Sequence, residues 1–171
     1  MNTTTRLFAL ALIASAASPA QPTALRDSLL DRFEGPWVLQ GTIDGKQTTH
    51  DVSVGWVIAH QYFQVHEISR ERNQDGSPEY EAIVCIGRDP TAEGYACEWL
   101  DVTGGSGLSA QAIGHGTRSD DSIHFVFRGG DGSLFHTTFA YHRSANSWQW
   151  LMDGEQAGTR VPLARVMLSR P

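Results

Sequence analysis

From Trp37 to the C-terminus, apolar and polar residues alternate with a period of two, and this alternation constrains the fold most. In Val52, Val54, Trp56 and Ile58 the even positions are apolar, with Asp51, Ser53 and Gly55 between them. A tight turn at Ala59-His60 sets Trp56 opposite Phe63 and Val54 opposite Val65, so both segments share one apolar face. A turn centred on Asp131 likewise sets Phe127 opposite Phe135 and Ile123 opposite Phe139. The next turn, at Ser144-Ala145, sets Tyr141 opposite Trp148 and Phe139 opposite Trp150. Three successive strands thus build one aromatic wall, which needs a surface to pack on. Closing the sheet into a barrel supplies that surface and removes the exposed strand edges.

About ten strand-like runs follow one another, separated by Gly, Asp, Asn or Pro clusters: Pro36–Ile43, His50–Ile58, Gln61–Arg70, Glu79–Gly87, Gly94–Val102, Leu108–Gly116, Ser122–Arg128, Leu134–His142, Trp148–Met152 and Thr159–Ser169. No helix-length segment interrupts them, which predicts hairpin pairing and an antiparallel meander. Before them, Leu25, Leu29, Leu30 and Phe33 share one helical face. That pattern predicts an amphipathic helix over Thr23–Glu34, capped by Thr23 and ended by Gly35-Pro36.

Length and composition agree with one all-β domain. The chain has 171 residues, 17 of them Gly, and only 19% are charged, which excludes disorder and coiled coil. A net charge of −6 argues against a nucleic-acid partner. Met1–Ala20 reads as a secretory signal peptide: Arg6 gives a positive start and Leu7–Ala17 an apolar stretch too short to span a bilayer. Ala14-Ser15-Ala16 and Ser18-Pro19-Ala20 are candidate cleavage sites, so a periplasmic or secreted protein without a membrane span is expected. Residues 21–34 then hold the helix and 35–171 the barrel.

Cys85 and Cys97 lie symmetrically about Thr91. A hairpin centred there places them opposite each other, and an oxidising compartment predicts a disulfide. The same hairpin brings Glu81 and Asp101 together, on one face with Ile83, Tyr95 and Trp99. An interior pair of acids would have one raised pKa, as general acid–base chemistry requires. The plainer reading puts both at strand ends, in water.

The histidines do not form a metal motif. His60 and His66, like His136 and His142, are six residues apart in extended chain, about 20 Å at ~3.3 Å per residue. Register turns His60, His66, His124, His136 and His142 to the outer face, as solvated side chains. Only His50 and His115 are left as single-histidine haem ligands, and no cofactor or metal is expected. Gly104-Gly105-Ser106-Gly107 lacks a phosphate-loop Lys and precedes a strand, so it reads as a turn.

Gly35-Pro36-Trp37, between a helix and the first strand, resembles the Gly-x-Trp signature of lipocalins and the wider calycins. In that family the Trp closes the barrel floor under a basic residue of the last strand, for which this chain offers Arg165 or Arg170. Glu79-Tyr80-Glu81-Ala82-Ile83, Gly94-Tyr95 and Trp99-Leu100-Asp101 resemble bacterial lipocalin-like domains of unknown function, with Ala82 in place of the usual Gly and Arg88 where an aromatic is common. The resemblance implies a calycin-type barrel with a cavity, often holding a small apolar ligand.

The expectation is therefore a ten-stranded antiparallel β-barrel of calycin type behind a short N-terminal helix, binding a small apolar or amphipathic molecule. Its interior aromatic residues, Trp56, Phe63, Trp99, Phe125, Phe127, Phe139, Tyr141, Trp148 and Trp150, would line the site. Trp37, Arg165, Cys85 and Cys97 would be structural. Two alternatives stand beside it: a small-molecule enzyme using Glu81 and Asp101, and a solid barrel that binds a partner through outward Val84, Ile86 and Leu100.

Overall fold

A computed structural model describes residues 24–105 and 107–171. The leader expected over Met1–Ala20 lies outside the described residues. One helical turn, α1 (Leu30–Phe33), precedes β1 (Gly35–Ile43), β2 (Lys46–Val57), β3 (Tyr62–Ser69), β4 (Glu81–Arg88) and β5 (Tyr95–Asp101). A short 3-10 turn (Ala110–Ala112) leads to β6 (Ile113–Arg118), β7 (Ser122–Arg128), β8 (Leu134–His142), β9 (Ser147–Gln156) and β10 (Thr159–Ser169). Every strand pairs antiparallel with its neighbour in sequence, and β10 returns to β1, so the sheet closes as a barrel.

The aromatic registers hold. Val54 faces Val65 and Trp56 faces Phe63. Phe127 faces Phe135, Ile123 faces Phe139, Phe139 faces Trp150 and Tyr141 faces Trp148. Among the inward residues, Phe63, Phe125, Phe139, Trp148 and Trp150 are fully buried.

The expected helix shrinks to Leu30–Phe33. Leu25 N–H donates to the His60 carbonyl (3.0 Å), which holds the preceding segment against the β2–β3 turn. Asp27 then caps the turn by accepting from the Leu29 and Leu30 amides (2.7 and 3.2 Å). Few residues remain between that cap and Gly35, whose φ of +112° ends the helical path. Leu25, Leu29, Leu30 and Phe33 are nonetheless all buried. Phe33 plugs one end of the barrel, stacked on Trp148 (4.4 Å between centroids) and touching Trp37, Phe63 and Phe139.

Trp37 closes the same end. Its indole N–H donates to the Phe33 carbonyl at 2.7 Å. The basic residue above it is Arg170, with the guanidinium carbon 3.6 Å from the ring centroid. Arg170 also donates to the carbonyls of Glu34 and Pro36 (2.9 and 3.1 Å). A Cβ at position 35 would lie 2.6 Å from Arg170 Nη1, so the glycine admits the guanidinium. Arg165 instead sits on the outer face, donating to the carbonyls of Met152 and Ala164 and to Asp153.

The β4–β5 hairpin corrects three expectations. Asp89 accepts from the Thr91 amide and hydroxyl (2.8 and 2.6 Å), and the Asp89 amide donates to the Gly94 carbonyl. This closes a loop of even length, with Arg88 facing Tyr95. Register moves by one residue from the symmetric alternative, and a one-residue slip exchanges the faces. Cys85 faces Glu98 and Cys97 faces Ile86. The cysteines are free, with Cys97 buried in the barrel and Cys85 half-buried outside. Glu81 and Asp101 do not meet. Glu81 accepts from His66 at 2.7 Å on the outside, while Ala82 faces Asp101. Val84 and Ile86 point inward and are fully buried, so they form no outer docking patch.

β6 begins at Ile113 rather than Leu108, because residues 110–112 turn under β7. His136 also differs from expectation. It leaves the barrel axis but is 6% exposed, covered by His124 (stacked, 5.3 Å), Glu155 (3.0 Å) and Arg160.

Two outcomes test this arrangement. Phe33→Ala empties the plug and should cost ~3–5 kcal/mol in urea unfolding; a loss under ~1 kcal/mol would show that Phe33 does not close the barrel. The intact mass should be unchanged by reductant, and alkylation of the folded protein should label Cys85 well before Cys97.

Candidate functional site

The plug fills one end of the barrel, and the opposite end stays open. There the β1–β2, β3–β4, β5–β6 and β7–β8 connections surround a cavity of about 610 Å³. Its apolar side is Ile43, Trp99, Phe127, Leu134, Phe135, Met152 and Leu163. Its polar side is Thr48, His50, Glu67, Ser69, Glu71, Tyr80 and Asp101, with Lys46, Glu79 and Arg128 at the rim. The division follows from strand parity. β2 and β3 are apolar on the inner face near the plug, at Val52, Val54, Phe63 and Val65. The same inner positions become His50, Glu67 and Ser69 toward the open end, all buried.

His50 and Glu67 are the deepest polar pair, 3% and 1% exposed. His50 Nδ1 bonds to Glu67 Oε1, and His50 Nε2 lies 2.7 Å from Thr48 Oγ1. Thr48 donates onward to Glu71 Oε2 at 3.3 Å. The Tyr80 ring stacks on His50 (5.8 Å, 25°). A second chain crosses the mouth: Trp99 Nε1–H donates to the Tyr80 hydroxyl at 3.2 Å, and that hydroxyl donates to Asp101 Oδ2 at 3.3 Å. Asp101 also accepts from the Thr103 amide (2.8 Å) and hydroxyl. Glu67 Oε2 is buried and has no hydrogen-bond partner among the described residues. An unsatisfied buried oxygen costs on the order of 1–3 kcal/mol, more when charged.

Of the nine aromatic residues expected to line a site, Trp99 and Phe127 reach the cavity. Phe63, Phe125, Phe139, Trp148 and Trp150 are core around and above the plug, with Trp150 donating to Thr137 at 2.7 Å. Trp56 and Tyr141 flank the closed end, where Trp56 donates to Asp31 (2.9 Å) and Arg32 lies over Tyr141. Asp101 sits at the mouth without Glu81. His50 was singled out only as a haem ligand, and Glu67 was missed. The signal was available: the register that puts Phe63 and Val65 inside also puts Glu67 and Ser69 inside. His115 lies on the outer face, bonded to Asp89 (2.6 Å). Among the described residues, no three His, Cys, Asp or Glu side chains gather closely enough to hold a metal ion. No helix among them is long and apolar enough to cross a membrane.

No protein-family model matches the chain, and no curated protein is significantly similar to it.

Burial pushes the Tyr80 phenol well above its ordinary value of 10.0; the charge of Glu67 adds to the shift, and the Trp99 N–H opposes it. Tyr95, buried and donating to Asp27, is also raised. An unfolded tyrosine ionises near that ordinary value while these two stay neutral. Their contribution to stability is therefore full below about pH 10 and is lost as pH rises further. Phenolate absorbance of both should rise only as the barrel unfolds in alkali, and Tyr80→Phe should remove one phenol from that step. Ionisation of Tyr80 near pH 10 in the intact barrel would contradict this.

Proposed function

We propose that this chain is an exported, lipocalin-like protein that takes a small amphipathic molecule into the open end of its barrel. The cavity carries this reading: one side is apolar, the other is a convergent polar wall, and about 610 Å³ suits a small ligand. Gly35, Trp37 and Arg170 support the lipocalin-like kinship, because they meet in the closed floor at which the family's motif points. Binding would draw on buried apolar area at about 25 cal/mol per Å², less the cost of association.

A catalytic reading has one observation in its favour. Thr48, His50 and Glu67 stand as hydroxyl, imidazole and carboxylate, the order of a nucleophile, its base and an orienting acid. Against it, Glu71 Oε2 lies 3.3 Å from the same hydroxyl and competes with His50 Nε2, 2.7 Å away, for its hydrogen. Binding is the better-supported role.

A neutral solvatochromic dye such as Nile red tests it. The dye should bind one to one with blue-shifted emission, and Leu134→Glu should weaken it about tenfold or more by charging the apolar side. Failure of the dye to saturate at one equivalent, or equal binding by Leu134→Glu, would remove the cavity as the site.

A further inference from the structure

We infer that the ligand is an amphipathic amine, held by donating from its nitrogen to Glu67 Oε2. The inference rests on the binding reading above and names the chemistry that the cavity selects. Glu67 is 1% exposed and lines the cavity, and one of its two carboxylate oxygens is already bonded to His50. The other oxygen accepts from nothing among the described residues. A carboxylate oxygen can only accept, so a group entering beside it must donate. Trp148 Nε1 is also buried without a partner among the described residues, but it belongs to the packed plug and not to the cavity wall.

The sign of the surrounding charge chooses among donors. Glu71, Glu79 and Asp101 line the cavity with Glu67, against two fixed cations. Of those, Lys46 is tied to Glu79 at 2.8 Å and Arg128 is exposed at the rim. A fatty acid would bring like charge and further acceptors to this wall. An alcohol would supply one neutral donor. An ammonium group supplies donors together with the opposite charge, and a charge-assisted bond in a shielded site is roughly twice as strong as a neutral one. Tyr80 and Trp99 also line the cavity and add aromatic surface near which a cation is tolerated. The apolar side, with Phe127, Phe135 and Met152, receives the rest of the molecule. The same cavity does not suit a bare metal ion, because among the described residues no three acidic or histidine side chains converge.

Decylamine, decanol and decanoate share one chain and differ in the polar end. Calorimetric titration of the full chain should give decylamine the tightest binding, at least about tenfold over decanol, with decanoate weakest. Glu67→Gln should erase the advantage of decylamine over decanol, provided its melt shows the folded barrel. Should the variant not fold, the wild-type order of the three ligands decides alone. Decanoate binding as tightly as decylamine, or an amine advantage that survives in folded Glu67→Gln, would overturn the inference and leave the binding reading standing. Failure of all three to bind would overturn both.

Discussion

The plug formed by Phe33 and Trp148 is the contact on which the rest of this molecule depends. Ten closed strands leave more interior than one ring of side chains fills. The single turn Leu30–Phe33 drives one phenyl ring into that interior, and the large rings of Phe63, Phe139 and Trp148 pack against or beside it. Aromatic volume is thereby concentrated at one end. The opposite end, where the inward residues of β2 and β3 turn polar at His50, Glu67 and Ser69, keeps about 610 Å³ open. Position along the barrel axis separates the packed core from the open cavity.

Placing His50 and Glu67 beneath the open end opposes the folding of the barrel. A buried carboxylate recovers its desolvation only through well-made bonds, and Glu67 makes them through one oxygen. An apolar pair at these positions would pack without that penalty. Groups kept at such a cost are the usual mark of a site that recognises something.

Much of the architecture was legible in the sequence, because the hairpins β2–β3, β7–β8 and β8–β9 have short turns and large aromatic residues on one face. There, parity and turn length determine the register together. They disagree in β4–β5, where Ile83, Val84, Cys85 and Ile86 are apolar on both faces. The alternation falls silent, and only the Asp89 turn sets the register. The helix was overextended because Leu25 and Leu29 satisfy a helical period as well as an extended strap with one turn. The deep pair of the site was hidden for a different reason. His50 and Glu67 lie 17 residues apart, on strands whose polar residues are read by default as outward.

The Arg170 clamp over Trp37 has a topological consequence. It ties the end of β10 to the start of β1, and Leu25 is pinned beside the β2–β3 turn at that same end. Both the entering and the departing backbone therefore run beneath the floor, away from the mouth. Tethered by either side of its fold to a bead, a surface or a neighbouring domain, the barrel would keep its opening turned toward solution.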